Sequence, residues 1–206
     1  MRKKYLYEYI FILLSLLVPV PGRFAYGIIL IAALNLLVLA GTCFCRLVDI
    51  LRLEDLKDAL LVVFLISLSI IIKQWVTLLS PLASLTLGFQ IYMPAVSAFF
   101  LGSLSRRKTD ALLPELRSNM TQSAKFSGFM AFVFLFRDIF GYGTFTFPVR
   151  GGISEIVIFQ DWALSFLGVL WASVPGALIM CSALALLMFF ITRKIKITEE
   201  IYDDAQ

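Results

Sequence analysis

Four long stretches of the chain carry almost no charge. Residues 24–45, 74–105 and 162–192 hold none, and residues 59–79 hold only Lys73. Continuous apolar runs of about 18 residues or more are the pattern of helices that cross a bilayer. Strands of a transmembrane barrel would instead alternate apolar and polar positions over about 10 residues, and these runs do not alternate. The pattern predicts an all-α membrane protein, because lipid offers no partner to unpaired backbone groups. It divides into six segments: 5–18, 24–45, 56–79, 82–105, 119–140 and 174–192. Segment 5 opens on polar residues, Thr121, Gln122, Ser123 and Lys125. Ahead of segment 6, residues 161–171 predict a short helix lying at the interface or dipping in, with Pro175-Gly176 at the bend. The start, "MRKK" and an apolar run, has the outline of a secretion signal. Glu8 interrupts it and "PVPGRF" offers no small-x-small cleavage site, so a retained first helix is expected.

Two of the six segments contain helix breakers. The stretch "GFQIYMPAVSAFFLG", residues 88–102, sits in segment 4 and carries Pro94 near its middle. Segment 1 is too short to cross as a regular helix, because Glu8 and Arg23 bracket only residues 9–22, and Pro19 and Pro21 stop it. The two defects stand at corresponding places in two halves, residues 1–79 and 82–206, of a single membrane domain. Each half has three segments, so the halves must be inverted relative to each other. Broken helices in an inverted repeat point to a site at mid-membrane. Pro19, Pro21, Gln90, Pro94 and Ser97 are the candidate residues there. Most proline kinks only shape packing, and it is the paired position that gives these two weight. Asn35, within segment 2, is expected to hydrogen-bond between helices.

Charge then tests the count of spans. With the start of the chain inside, the inner regions take the basic residues at 2–4, 46–57, 106–125 and 193–196. The outer regions take Arg23, Lys73, Arg137 and Arg150. Fourteen fall inside and four outside, which accounts for all 18 Lys and Arg. The positive-inside rule therefore predicts six crossings with both termini cytoplasmic. Trp75 and Trp162 fall near span ends, as an aromatic belt requires. The net charge of +4 reports orientation; there is no basic face interleaved with aromatics, and no nucleic-acid partner is expected. No Asp, Glu, Lys or Arg stands near the middle of a span, so the ionisable group of a self-sufficient pump is missing. The adjacent Arg137 and Asp138 are expected to anchor the outer end of segment 5 at the interface.

Composition narrows the chemistry further. The chain contains no histidine, so haem or zinc held through imidazole is not expected. Its three cysteines, Cys43, Cys45 and Cys181, form no C-x-x-C pair and read as small apolar residues. No nucleophile–base pair or phosphate loop is visible, which weighs against a stand-alone enzyme.

The motifs "LVPVPG" (17–22), "LVLAGT" (37–42), residues 88–102, "LFRDIFGYGTF" (135–145) and "VPGALIM" (174–180) together resemble the Rnf/Nqr membrane-subunit family. The likeness is nearest to the E subunit of Rnf and the D subunit of Nqr. It covers most of the chain in order and spacing. It implies six helices in two inverted repeats, in the inner membrane of a bacterial cell, beside a related six-helix subunit and partners carrying flavin and iron–sulfur groups. In that family one cysteine near the break of segment 1 and one near the break of segment 4 help hold a 2Fe-2S cluster. Here the matching positions read Val18 and Ala98, and the asparagine beside the second reads Ser97. The family's segment-4 proline falls at Tyr92, two residues before Pro94. Cluster iron needs thiolates, so the expectation is a divergent subunit of an ion-translocating electron transport complex that ligates no cluster itself. The alternative is a small transporter or membrane scaffold of the same fold, without electron transfer.

Overall fold

The structure, a computed structural model, describes residues 18–104, 112–149, 151–159 and 166–183, with 186 and 190. Segment 1 up to residue 17 and the two termini lie outside the described residues. The first helix, α1, is Phe24–Ile50. It starts where the Pro19/Pro21 pair ends, behind an extended Arg23 at φ −89° and ψ 134°. A turn at Glu54–Leu56 leads into α2, Lys57–Leu79. Ser80 accepts from the backbone N–H of Ala83 at 3.4 Å and caps α3, Pro81–Leu87, with Pro81 at the first helical position, where no N–H is needed. A 3-10 turn at Gly88–Tyr92 joins α3 to α4, Met93–Leu104. Then come α5, Leu112–Arg137, a π turn at Asp138–Tyr142, strands β1, Thr144–Val149, and β2, Gly152–Val157. Helix α6, Phe166–Ala172, is followed by α7, Val174–Ala183.

Three spans are long and apolar enough to cross a membrane: Phe24–Ile50, Lys57–Leu79 and Pro81–Leu101. A fourth is possible if α6 and α7, bent by 76°, count as one broken span. The outward faces agree, since Val63, Trp75, Leu78, Leu85 and Phe89 are all exposed. Exposed apolar helices of this length suggest a membrane-embedded protein.

Helix α1 is the centre of the bundle, antiparallel to both α2 and α5. At one end Lys57 pairs with Asp49 at 2.6 Å and Asn119 donates to the Thr42 hydroxyl at 3.1 Å. At the other end the backbone N–H of Phe24 meets Asp138. Between them Leu30, Leu34 and Leu37 pack with Leu87, Ile91, Met130 and Phe134 in one core. In lipid such a core is held by close van der Waals packing and by hydrogen bonds between helices. The polar face of α5, which lowers its mean hydropathy, turns toward α1. The Asn35 amide donates to Ser127 and accepts from Ser123, both at 2.8 Å. The expected interhelical role of Asn35 is what the structure holds.

Several boundaries need correction, and one element is new. The protein is mostly helical, as expected, but β1 and β2 add an antiparallel hairpin with Thr144 opposite Val157 and Val149 opposite Gly152. The strand "TFTFPV" alternates at period 2: Thr144 and Thr146 are buried, and Phe145 and Phe147 pack on Phe24 at 5.4 and 5.9 Å. The hairpin turn is tied back to the bundle by Gly151, whose N–H donates to the Leu79 carbonyl at 2.9 Å. Segment 4 does break, but Pro94 does not break it. The change falls at Gly88, with φ +49°, a conformation only glycine adopts without strain. Pro94 sits in the first turn of α4, where its missing N–H costs little. Helix α5 begins seven residues before the expected start, and α1 runs on to Ile50 rather than ending at Cys45. The bend expected at Pro175-Gly176 is present, two residues earlier at Ser173. A Cβ on Gly176 would fall 2.1 Å from the Leu170 carbonyl oxygen, so only glycine lets α7 fold back against α6.

Candidate functional site

The two helix breaks touch. The chain at Val18–Val20 is bent and non-helical, since neither proline can donate and each disfavours helix at the residue before it. Its Pro19 carbonyl accepts a hydrogen bond from the side-chain amide of Gln90, which stands in the 3-10 turn of segment 4. Gln90 lies nine residues beyond Pro81, about 14 Å along the span, close to half the thickness of a hydrocarbon core of about 30 Å. In a bilayer a carbonyl freed there would have to be met by protein, and Gln90 meets this one.

The remaining candidates are spread around this contact. Pro21 stands on the far side of Val20. Pro94 opens α4, and Ser97 and Ala98 follow one turn later, both in the interior. Val18 packs on the same core. Two polar atoms here are buried without a hydrogen bond, Gln90 Oε1 and Ser97 Oγ. The structure therefore joins Pro19 and Gln90 directly, and places Ser97 and Ala98 in the core without tying them to the first break.

A second polar cluster lies at the end of the bundle where α1 begins, and it is the part the sequence hid. Arg137 and Asp138, expected as interface anchors, are 1% and 0% exposed. The reason is that the chain closes over them. Asp138 Oδ2 accepts from the backbone N–H groups of Phe24 (3.2 Å) and Thr146 (2.8 Å) and from the Thr146 hydroxyl (2.7 Å). Its Oδ1 accepts from the Thr144 hydroxyl at 2.9 Å. Thr146 Oγ1 in turn accepts from the N–H of Ala25 at 3.1 Å. The carboxylate thus faces the positive end of the α1 macrodipole and satisfies its first amides. Arg137 reaches the other way, to the Val20 carbonyl at 3.0 Å and the Ala172 carbonyl at 3.2 Å. It clamps the first break to the end of α6. The available signal was the pair of threonines six and eight residues beyond Asp138, on one face of a strand. Nearby, Arg23 pairs with Glu155 and lies 5.0 Å from the Tyr142 ring centroid, closing the hairpin over the α1 terminus.

The residues at the breaks do not fit an iron–sulfur cluster. Val18 and Ala98 present hydrocarbon where the resembled family has thiols, and cluster iron requires thiolate. Cys43 is exposed toward the far end of α1, Cys45 is half-buried two residues on, and Cys181 is buried in α7. Among the described residues no three His, Cys, Asp or Glu gather as a metal site. An apolar cleft of about 570 Å³ lies between α2 and α4, beside Phe89 and Tyr92 of the second break. No protein-family model, no curated protein and no solved structure matches the chain.

Proposed function

We propose that the chain is an integral membrane subunit of an Rnf/Nqr-type ion-translocating electron transport complex, and that it contributes architecture without ligating a cluster. The observation that supports the reading is the Gln90–Pro19 hydrogen bond, which links the proline-bent chain at 18–20 to the 3-10 turn inside the α3–α4 span. That is the arrangement an inverted repeat with a central site requires. In this reading residues 1–79 and 82–206 are the two halves. The protein lies in the inner membrane with both termini cytoplasmic. Its Arg46, Lys57 and Arg117 end faces the cytoplasm, and the hairpin end faces outward, in keeping with the positive-inside rule. Flavin and iron–sulfur groups belong to its partners, the nearest being a related six-helix subunit.

The test is isolation of a tagged full-length chain from native membranes in mild detergent. Flavin-bearing and iron–sulfur subunits are expected to co-purify in fixed ratio, and the separated chain is expected to show no iron or sulfide after anaerobic reconstitution. Recovery of the chain alone, or only as copies of itself, overturns the complex. Stoichiometric cluster on the separated chain overturns the assignment of Val18 and Ala98.

The cleft between α2 and α4 favours the second reading, a transporter or scaffold of the same fold that holds an apolar ligand beside the second break. An isolated, stable protein lacking redox partners is what that reading expects.

A further inference from the structure

A small polar cavity stands apart from the two breaks. It measures about 30 Å³ and lies where α1, α2 and α5 meet, toward the Lys57–Asp49 end of the bundle. Thr42, Lys57, Glu115 and Asn119 line it together with Leu37 and Gly41. Asn119 is 6% exposed. Its amide nitrogen donates to the Thr42 hydroxyl at 3.1 Å, while its Oδ1 is buried with no hydrogen bond. Lys57 donates to both oxygens of Asp49, at 2.6 and 2.7 Å, which leaves one of the three N–H groups of an ammonium. Among the described residues Glu115 has no ion pair, the pairs there being Arg23–Glu155 and Lys57–Asp49. Glu115, Asn119, Ser123 and Ser127 form one row along α5, four residues apart. The two serines bond to Asn35, so along this row the unmet acceptor stands at the cavity.

A buried acceptor without a donor is costly, and hydrocarbon supplies none. Size and wall charge decide what meets it here. A water needs about 10–15 Å³ of such space, so the cavity has room for one or two and for no larger ligand. The Lys57 ammonium disfavours a cation on the same wall, and the Glu115 carboxylate disfavours an anion. A water suits both, since it can donate to Asn119 Oδ1 and Glu115 and accept from Lys57, the three or so hydrogen bonds that buried waters make. It also suits either orientation of the Asn119 amide, because it donates and accepts alike. We propose that this cavity is an ordered-water site that joins α2 to α5 across α1. Asn119 is seven residues into α5, so the site brings water about 10 Å along the helix into the bundle. The proposal rests on these side chains alone and not on the electron-transport reading.

The test is X-ray hydroxyl-radical footprinting of the full-length protein in lipid nanodiscs, where bound water makes the radical in place. Leu34 and Leu37 are both 0% exposed on α1, and of the two only Leu37 lines the cavity. Leu37 is expected to be oxidised several-fold faster than Leu34. Gly41→Ala sets a methyl group in the cavity, with its Cβ 3.3 Å from Leu65 and 3.6 Å from Leu61, and is expected to bring Leu37 down to the rate of Leu34. Asn119→Leu, which takes away the acceptor and leaves an apolar wall of the kind that stays dry, is expected to do the same and stands in if Gly41→Ala does not fold. Thermal midpoints in sodium, potassium and choline salts of equal ionic strength are expected to coincide. Equal oxidation of Leu34 and Leu37 in the unaltered protein overturns the water site, as does fast oxidation of Leu37 that persists in the folded variants. A midpoint raised by one cation alone overturns water as the occupant.

Discussion

Asp138 shows how much one side chain can hold when it is walled off from water. It closes the start of α1, the start of β1 and the π turn with one carboxylate. Hydrogen bonds to a charged group are worth about 1.5–3 kcal/mol each, and removing the acceptor strands several donors at once. Asp138→Ala is expected to lower stability by about 3–5 kcal/mol, read as a fall in the thermal midpoint in detergent. Asp138→Asn keeps an oxygen for Phe24 and Thr146 and turns its amide toward the Thr144 hydroxyl, which can accept. Its cost is expected to be about 1–2 kcal/mol. Equal losses in the two variants would show that shape rather than these acceptors matters. The Arg-Asp pair alone could not show this role, because at a span end it looks the same whether it meets headgroups or backbone. What decides is that Val20 and Ala172, far off in the chain, present their carbonyls to Arg137.

Helices and their interruptions were largely legible at the scale of elements. Long uncharged runs predicted α1, α2 and the α3–α4 span, and breaker residues marked both interruptions. The second interruption was placed at Pro94 when it belongs to Gly88, because proline announces itself in a sequence while a glycine's positive φ does not. The hairpin was missed for a different reason. Six alternating residues are a short signal, and "TFTFPV" lies between segments 5 and 6, where the long-run pattern assigns no element. The bend between α6 and α7 was legible through Pro175-Gly176, and its cause gives a prediction. Gly176→Ala puts a methyl group against the Leu170 carbonyl oxygen, which is backbone and cannot rotate away. The bend must open, at a cost of at least about 1–3 kcal/mol. Gly128→Ala, where a Cβ meets nothing within 4 Å, is the matched control within a helix and is expected to leave the thermal midpoint unlowered or slightly raised. A midpoint lowered no further by Gly176→Ala than by the control would mean that α6 and α7 do not pack at this angle.

The arrangement of the whole molecule predicts which ends share a side of the membrane. In a cysteine-free background, a thiol placed at Asp55 should react with an impermeant reagent only from the cytoplasmic side, and one at Gly152 only from the other. Labelling of both from one face would dismantle the antiparallel bundle as a membrane arrangement. The contact between the two interrupted stretches was not readable, since nothing in the sequence pairs Gln90 with Pro19. The hairpin also works as a depth stop. A two-stranded sheet leaves outward N–H and C=O groups without a strand partner, of which Asp138 meets that of Thr146; hydrocarbon does not tolerate such edges, which sets the strands at headgroup level. Helix α1 hangs from that level at Phe24 and its 27 residues run about 40 Å, some 10 Å more than the oily layer they cross. Its last two turns, with Arg46 and Asp49, therefore stand proud of the opposite surface as a short post, and a water-soluble protein approaching from that side would meet a ridge instead of a plane.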